Sequence, residues 1–397
     1  MKKQFPWTKV LILTATHVGA VVLAVCLTLG LNSAAKDPGQ KKLEQLAKYI
    51  QRYHVDDPDM NQVYDYAAAG MVAGTGDRWS YYISAAEMDA YNASQKNEYV
   101  GVGITVQNRE DETGIDVLTV TPGGPAHEAG ILPGDVIVAV DGTDVKEVTT
   151  AELSSKIKGE ENTDVQITVH RDGAAVEFTI TRSRIEVAVA TGKLLDGNVG
   201  YIKITNFNEK CADETIAAIE YLIRQGAEYL VFDVRGNPGG YKNELVKVLD
   251  YLLPAGDLFV SVDYTGATEV DRSDEGCLQM PMAVLVNGDS YSAAEFFAAA
   301  LEEYDWAIVG GSPTVGKGHM QVTMDLSDGS AVALSIGEYF TPGGVSLEDR
   351  GGLVPEIRVD VDEKTAALIE SDLLAPEDDA QLQAVIEALT GKTEEKP

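Results

Sequence analysis

Cysteine and histidine are scarce in this sequence, which contains three cysteines and five histidines among 397 residues. Cys26 lies in an apolar N-terminal run, while Cys211 and Cys277 could pair or stay free, because two cysteines so far apart make no disulfide framework. No CxxC spacing occurs, and no histidine lies in a zinc-type pattern. The sequence therefore predicts neither a disulfide-stapled fold nor a metal site.

Positive charge is also in short supply, since 31 Lys and Arg residues face 63 Asp and Glu residues, for a formal net charge of −32. A chain this acidic repels phosphate backbones, which argues against a nucleic-acid partner. Its 45% hydrophobic and 24% charged residues are the proportions of a folded protein. Because 397 residues exceed one ordinary core, we expect two or more domains.

One long apolar run is present, and it lies at the N-terminus. Val10–Leu31 contains no Asp, Glu, Lys or Arg, and as a helix it would be about 33 Å long, enough to cross a bilayer core. Three lysines precede it, which predicts a cytoplasmic N-terminus and an extracytoplasmic location for the rest of the chain. A cleaved signal peptide is the alternative. The length of the run and the lack of a small-x-small site before Lys36 favour an uncleaved anchor.

The remainder divides by periodicity into a multidomain α+β chain. Apolar residues at helical spacing predict a helical region, interpreted as a packing or oligomerisation element, and short alternating segments between Gly/Pro turns then predict a small β-rich domain. Strand–helix alternation follows, which predicts an α/β core with a largely parallel sheet. The expected divisions are 1–35 (cytoplasmic stub and membrane anchor), 36–97 (helical region), 98–183 (β-rich domain), 184–361 (α/β core) and 362–397 (C-terminal helical tail).

Sites in such a core gather at the carboxyl ends of strands, and one strand end carries a serine-rich loop. The apolar strand Met282–Val286 runs into a loop that precedes a helix predicted to begin at Ser292. A serine there is either a helix N-cap or a nucleophile, because helix N-terminal N–H groups stabilise the anion that acyl transfer produces. Both roles could be filled at once, because Ser290 could cap the helix while Ser292 acts as the nucleophile.

A nucleophilic serine needs a base, and Lys317, between two glycines, is the better candidate. Burial can lower a lysine pKa enough for this role, although a lone Gly-Lys-Gly is more often a surface loop. His319 is the only histidine in the α/β region, and no aspartate partner is evident for it. If 317–325 is a strand, Gln321 shares a face with Lys317 and could orient its amine.

A glycine turn follows another apolar strand, Tyr229–Val234. Gly239 and Gly240 present backbone N–H groups without side chains in the way, which suits an oxyanion, although a tight strand–helix turn alone would also explain them. Asp233 and Arg235 flank the turn and are expected to pair and hold it.

These segments resemble those of the carboxyl-terminal processing peptidases, tail-specific Ser–Lys proteases with an embedded PDZ domain. The resemblance runs from about residue 40 to 360, in segments that are specific in their order. They are Asp77-Arg-Trp-Ser-Tyr-Tyr82, Tyr99-Val-Gly-Val-Gly-Ile104, Pro125 to Gly142, Asp233-Val-Arg-Gly-Asn-Pro-Gly-Gly240, Ser290-Tyr-Ser-Ala-Ala-Glu295, Gly316-Lys-Gly-His-Met-Gln321 and Tyr339-Phe-Thr-Pro-Gly-Gly344.

The resemblance implies a role for each matching residue. Ser292 would be the nucleophile, Lys317 the base and Gln321 the residue that positions the lysine. Gly240 and Ala293 would supply oxyanion N–H groups. The PDZ-like domain would receive a substrate C-terminus on the backbone donors of Gly101, Val102, Gly103 and Ile104, with the peptide adding as a strand. No metal or organic cofactor is implied.

The implied function is therefore a serine endopeptidase, membrane-anchored and facing outward, that acts on polypeptides with accessible C-terminal tails. Tyr291 departs from the family's small residue, and His319 and Met320 replace its common Thr-Val, which puts substrate preference in question more than activity. A catalytically inactive membrane-anchored PDZ peptide-binding protein is the alternative, against which the presence of all three catalytic residue types speaks. A trypsin-like PDZ protease is disfavoured, because Pro238 stands where its serine would be.

Overall fold

The structure is a computed structural model that describes residues 37–109, 113–146 and 148–391. Within those ranges no helix combines the length and apolarity that a bilayer crossing requires. The predicted anchor Val10–Leu31 lies outside the described residues, so the membrane segment stays a prediction.

The N-terminal helical region is a compact unit of its own, which ends at Gly76. It contains helices α1 (Pro38–Tyr53) and α2 (Met60–Ala73). Asp37 and Asp59 stand at their N-caps and accept hydrogen bonds from the first-turn amides, which explains where both helices begin. The second unit starts at Asp77, inside the region 36–97 that was predicted to be helical, and opens with β1 (Tyr81–Ile83) and α3 (Met88–Gln95).

The next part of the second unit is rich in β-structure, as its alternating segments predict. Its elements are β2 (Glu98–Gly101), β3 (Ile104–Asn108), β4 (Ile115–Val120), α4 (Pro125–Ala129), β5 (Val136–Val140), β6 (Thr143–Asp144), α5 (Thr150–Ile157), β7 (Asp164–Arg171), β8 (Ala174–Thr181) and β9 (Ser183–Glu186). One sheet has the order β3-β4-β5-β7-β8, with β6 beside β5. Alternate residues of β7, such as Val165 and Ile167, are fully buried in its core.

The β-rich part has an open strand edge, and a two-stranded ribbon joins it to the rest of the unit. Within the described residues β3 pairs only with β4, so its other edge is open, and α5 packs beside it. Strands β2 and β9 form a separate antiparallel ribbon through which the chain enters and leaves the β-rich part.

The remainder is the predicted α/β core. Its elements are β10 (Ala190–Leu195), β11 (Val199–Ile204), α6 (Cys211–Arg224), β12 (Tyr229–Asp233), α7 (Lys242–Leu252), β13 (Gly256–Asp263), β14 (Thr268–Ser273), β15 (Met282–Val286), α8 (Ala293–Glu303), β16 (Ala307–Gly311), β17 (His319–Asp325), β18 (Ala331–Phe340), α9 (Leu347–Arg350), β19 (Ile357–Arg358), α10 (Glu363–Glu370), a 3-10 turn (Pro376–Asp378) and α11 (Ala380–Thr390).

The central sheet has the order β10-β11-β12-β15-β16-β19 and is parallel except for β10. The predicted largely parallel sheet is confirmed. Its strands are apolar on both faces because both are covered: Leu230 and Phe232 pack in the core cluster that contains α6, α7 and α8, while Val231 and Leu285 pack against α11.

A second, antiparallel sheet lies in the same unit. Strand β18 pairs with β17 along one side and with β1 and β13 along the other, and β14 follows β13. Lys317 precedes β17 by two residues, and the loop before α8 follows the central strand β15. The candidate serine and lysine therefore come from two different sheets.

The two cysteines of the described residues are free. Cys211 is buried at the start of α6, and Cys277 is half-buried. In the described ranges no group of three His, Cys, Asp or Glu side chains is placed to hold a metal ion.

Candidate active site

The glycine turn and the serine loop follow neighbouring parallel strands and are tied to one another. Asp233, at the end of β12, pairs in register with Leu285 of β15. The Gly236 N–H donates to the Asn287 side chain at 2.9 Å, and the buried Ser290 hydroxyl donates to the Val234 carbonyl at 2.7 Å. The expectation that Ser290 caps the helix is wrong, because its hydroxyl instead fastens the loop to the adjacent strand.

Ser292 itself occupies the N-cap of α8, in an unusual backbone conformation. Its φ of 59° and ψ of −123° lie in a region that residues with a side chain rarely adopt. Such strain persists only where surrounding contacts hold it, and it is commonest at functional sites. The side chain is half-buried and lines a cavity of about 1190 Å³.

Two backbone N–H groups beside Ser292 are free to bind an anion. Within the described residues neither the Gly240 N–H nor the Ala293 N–H donates a hydrogen bond, and both residues line the cavity. The Gly239 N–H is engaged, since it donates to the Asn237 side chain at 2.8 Å. Of Gly239 and Gly240, only Gly240 therefore has a backbone N–H that donates no hydrogen bond within the described residues.

The backbone approaches Ser292 so closely at Gly239 that only glycine fits there. Gly239 has a φ of +92°, and a Cβ on it would lie 2.7 Å from the Ser292 Cβ. Asn237 fixes the turn around it: this fully buried residue donates from its side chain to the Ile204 carbonyl and accepts from the Tyr291 N–H at its own carbonyl.

The predicted pairing of Asp233 with Arg235 is confirmed. The two side chains form a buried ion pair, and Arg235 also binds Asp379, the N-cap of α11. Tyr201 donates to Asp233 at 2.6 Å. Burial alone would raise the pKa of Asp233, but the charge and hydrogen bonds of Arg235 hold it below its ordinary value. This network anchors the base of the turn rather than the cavity.

Lys317 is buried, with 9% of its surface exposed, and its Nζ donates to the Gln321 Oε1 at 2.5 Å. The Gln321 amide donates in turn to the Trp79 carbonyl. The contact that the sequence suggested is present, but regular alternation does not produce it. Strand β17 begins only at His319, and its pairing shifts between Met320 and Gln321.

The surroundings of Lys317 favour its neutral form. Burial lowers the pKa of Lys317 to about 8, against the opposing effect of the Asp77 and Glu295 charges. Its Nζ lies 4.9 Å from the centroid of the Trp79 ring and 6.0 Å from that of Tyr291. A lysine with this pKa is a usable base near neutral pH.

Glu295 joins the two halves of the site. This fully buried carboxylate accepts from the Ser292 N–H at 3.2 Å with one oxygen, which also accepts from the Lys317 N–H at 2.9 Å. Its other oxygen accepts from the Gly316 N–H at 2.6 Å and from the Thr314 hydroxyl. One side chain thus fixes the serine backbone relative to the lysine backbone.

Tyr339 makes a second link between the halves. Its buried hydroxyl donates to the Lys317 carbonyl, and Tyr339 lines the same cavity as Ser292. Burial raises the pKa of Tyr339, so the phenol remains a neutral donor. His319, the other base considered from sequence, is directed to the Glu348 carboxylate.

The predicted peptide-binding loop lies apart from this cavity. Gly101 ends β2, Val102 is buried, Gly103 has a φ of +81°, and Ile104 begins β3. None of the four is among the residues that line the cavity. In the described ranges the Val102 and Gly103 amides donate to no other backbone group, at the open edge where β3 starts.

Sequence reasoning missed several residues that shape the site. Glu295 stands three residues after Ser292, a Ser-x-x-Glu spacing that typifies helix starts and could have drawn attention to it. Trp79 and Tyr339 belong to segments noticed only through the resemblance, and no local pattern gave their contacts. Tyr291, noted as a departure from the family's pattern, stacks against Trp79 with ring centroids 5.8 Å apart.

Comparison with known proteins adds independent findings. Residues 198–359 match peptidase family S41, and residues 100–181 match the PDZ domain. The carboxy-terminal processing protease CtpA of Bacillus subtilis strain 168 is 30% identical over 372 residues, which cover 91% of this chain and 78% of that protein. A protein of Staphylococcus aureus strain COL named as a probable CtpA-like serine protease is 30% identical over 364 residues, covering 89% and 73%.

A solved structure of the S41 protease type from Bacteroides fragilis NCTC 9343 has a TM-score of 0.58 at 17% identity, covering 88% of this chain and 98% of that one. At this identity the likeness shows the fold alone. The identity and coverage of the Bacillus subtilis relative decide the family: the chain is a serine-type peptidase of family S41, in the carboxy-terminal processing protease group, and it carries a PDZ domain.

Proposed function

We propose that this protein is an endopeptidase that uses Ser292 as nucleophile and Lys317 as general base. The observation that carries the proposal is the joint placement of a strained Ser292 and a buried Lys317 on one cavity. The lowered pKa of Lys317 supports the same assignment. Gln321 is the positioning residue, since its oxygen accepts from the lysine amine while its amide is held by Trp79.

In the proposed reaction neutral Lys317 accepts the Ser292 proton as the serine oxygen attacks a peptide carbonyl. The developing oxyanion binds the unengaged N–H groups of Gly240 and Ala293, at the N-terminus of α8. The lysine ammonium then protonates the leaving amine, and the peptide bond breaks. Water, deprotonated by the same lysine, hydrolyses the ester and restores Ser292.

The test is cleavage of an unstructured protein by the parent chain and by Ser292→Ala and Lys317→Ala. Each variant is expected to lose at least about a hundredfold in rate, the scale set by loss of a nucleophile or base. Equal cleavage by all three would assign the activity elsewhere. Absence of cleavage by the parent on any tail would favour the alternative of an inactive peptide-binding protein.

We propose further that the PDZ domain selects substrates by their C-termini. The open edge of β3 and the unengaged amides of Val102 and Gly103 support capture of a carboxylate at Gly101–Ile104, with the tail adding as a strand. Amidation of a substrate C-terminus should then raise KM about tenfold while kcat changes little. An unchanged KM would contradict this role.

For localisation we propose a single-pass membrane protein with its catalytic part on the extracytoplasmic side, on the basis of the apolar run Val10–Leu31 and the lysines before it. Fractionation with protease protection tests this. Carbonate-resistant membrane association and digestion of the core from outside are expected, whereas release by carbonate would contradict the anchor.

A further inference from the structure

Arg78 is an exposed arginine that lines the active-site cavity and is held by an aromatic stack. Its Cζ lies 4.3 Å from the centroid of the Trp79 ring. Trp79 stacks in turn on Tyr291 with an interplanar angle of 27°, and Tyr291 is the residue before Ser292. The guanidinium is therefore pre-positioned at the cavity, at little further entropic cost for binding a ligand.

Arg78 is unusual because no carboxylate among the described residues pairs with it, in so acidic a chain. Most arginines of the described residues pair with a carboxylate, and those that do are Arg109, Arg171, Arg184, Arg224, Arg235, Arg272, Arg350 and Arg358. Arg182 donates to backbone carbonyls instead. Within the described ranges only Arg52 and Arg78 have neither an ion pair nor a side-chain hydrogen bond, and each lies over an aromatic ring.

The nearest acid in sequence does not take this place. The Asp77 carboxylate accepts from the Trp79 N–H at 2.9 Å and from the Ser80 hydroxyl at 2.5 Å, and it forms no ion pair with Arg78. The two acids that line the cavity, Glu209 and Asp325, form no ion pair with Arg78 either. The guanidinium thus retains its hydrogen-bond donors for a ligand.

The cavity as a whole is more cationic than the chain around it. Four lysine and arginine side chains line it against two acids, although the chain carries a net charge of −32. The basic ones are Arg78, Lys96, Lys242 and Lys317. Because Lys242 is paired with Glu269 and Asp271, Arg78 and Lys96 are the cations on the lining that remain available to an anion.

Arg78 also lies close to the reacting groups. The Lys317 Nζ is 4.9 Å from the centroid of the Trp79 ring, and the Arg78 Cζ is 4.3 Å from it. The distance between these two atoms is therefore at most the sum of those two values. A peptide whose scissile bond lies between Ser292 and Lys317 therefore passes within a few residues of the guanidinium.

We propose that Arg78 is a specificity-determining residue that binds a carboxylate of the substrate polypeptide within a few residues of the scissile bond. The proposal rests on the proposed function of the cavity and adds the chemical class that it selects. A planar guanidinium binds a carboxylate through two parallel hydrogen bonds. That carboxylate belongs either to an acidic side chain or to the C-terminus of a short leaving fragment.

The test uses the full-length protein and synthetic peptides that differ at one position at a time. Glu replaces Gln along the residues that flank the cleaved bond, and each peptide is made with a free and an amidated C-terminus. The parent is expected to prefer Glu at one position, or the free terminus, by about five- to tenfold in kcat/KM. A preference for Glu assigns the carboxylate to a side chain, and a preference for the free terminus within four residues of the bond assigns it to the leaving fragment.

Three variants separate Arg78 from other effects. Arg78→Gln should abolish the preference, and Arg78→Glu should reverse it, so that Lys is favoured at the same position. Arg52→Gln is the matched control, because Arg52 also lies over a ring and has no ion pair within the described residues, but it belongs to the N-terminal unit. It should keep the full preference. The preference should also fall as salt is raised, since Arg78 is exposed.

Equal cleavage of every peptide pair by the parent would overturn the proposal about Arg78 while leaving the Ser–Lys assignment intact. So would a preference for Glu that survives in Arg78→Gln, or a preference for the free terminus that is as large in Arg78→Gln as in the parent, since capture by the PDZ domain alone would leave that preference unchanged. If the parent cleaves no peptide, the proposed function fails instead. Binding of the same labelled peptides to Ser292→Ala then decides on Arg78, with the same five- to tenfold difference in Kd expected and equal Kd values contradicting it.

Discussion

The central parallel sheet and the antiparallel sheet each carry half of the candidate site, and they hold it differently. On the parallel sheet, Ser292 and the glycine turn follow adjacent strands, and buried groups such as Asn237 and Arg235 fasten the loops locally. On the antiparallel sheet, Lys317 stands in a loop before an edge strand and depends on contacts with distant segments. Secondary structure thus places the nucleophile, whereas tertiary packing places the base.

The largest effect is expected where the two halves meet. Glu295→Gln replaces one accepting oxygen with an amide that cannot accept. Either the Ser292 and Lys317 N–H groups or the Gly316 N–H and Thr314 hydroxyl then lose their acceptor. We expect kcat/KM to fall about a hundredfold or more. Glu303→Gln is the control: Glu303 lies on the same helix and accepts from Thr341 and Gly343, but it does not line the cavity. A similar loss in both variants would contradict a joining role for Glu295.

The next effect concerns the parallel-sheet half alone. Gly239→Ala would place a methyl group 2.7 Å from the Ser292 Cβ at a φ of +92°, so the serine must move. A loss of about thirtyfold in kcat is expected, with about 1–3 kcal/mol lost from the free energy of unfolding. Gly236→Ala separates backbone strain from the clash, since Gly236 has a φ of +72° with open space around it. That variant should lose stability but little kcat, and equal losses of kcat would exclude the close approach as the cause.

A smaller effect concerns the antiparallel-sheet half. Gln321→Ala removes the group that accepts from the Lys317 amine, and kcat should fall about tenfold. Gln321→Glu keeps the contact but adds a negative charge, which favours the ammonium and raises the pKa of Lys317. Its activity should therefore be restored only at a higher pH than the parent requires. Unchanged pH dependence in Gln321→Glu would mean that residue 321 does not contact the base.

The smallest effect is on stability and has the opposite sign to an ordinary core mutation. Because folding lowers the pKa of Lys317 from 10.5 to about 8, its buried ammonium opposes folding below pH 8, and this penalty disappears above the unfolded pKa. Lys317→Met should therefore raise the free energy of unfolding at pH 7 by about 1–3 kcal/mol, and the gain should vanish near pH 11. Denaturant titration at the two pH values measures it, and a gain independent of pH would be evidence against the lowered pKa.

The same contrast explains how far the sequence predicted the site. The strand Met282–Val286, the following helix and the glycine turn were predicted from apolar runs and turn residues, because these patterns are local. The prediction that Lys317 is the base rested on a short Gly-Lys-Gly segment and on the resemblance to a family. The contact between Gln321 and Trp79 joins residues 242 positions apart, and no periodicity encodes it. The role of Ser290 was misjudged because its partner, the Val234 carbonyl, lies in the separate segment that follows β12.

The pH dependence of kcat/KM tests the central claim most directly, because the claim is that a neutral Lys317 activates Ser292. The parent should gain about tenfold per pH unit up to a plateau above about pH 8, as expected for a base with the pKa of Lys317. In Gln321→Glu the rising part of this pH profile should shift to higher pH. A limb near pH 6.5, the ordinary pKa of histidine, or activity independent of pH from 6 to 9, would contradict the account.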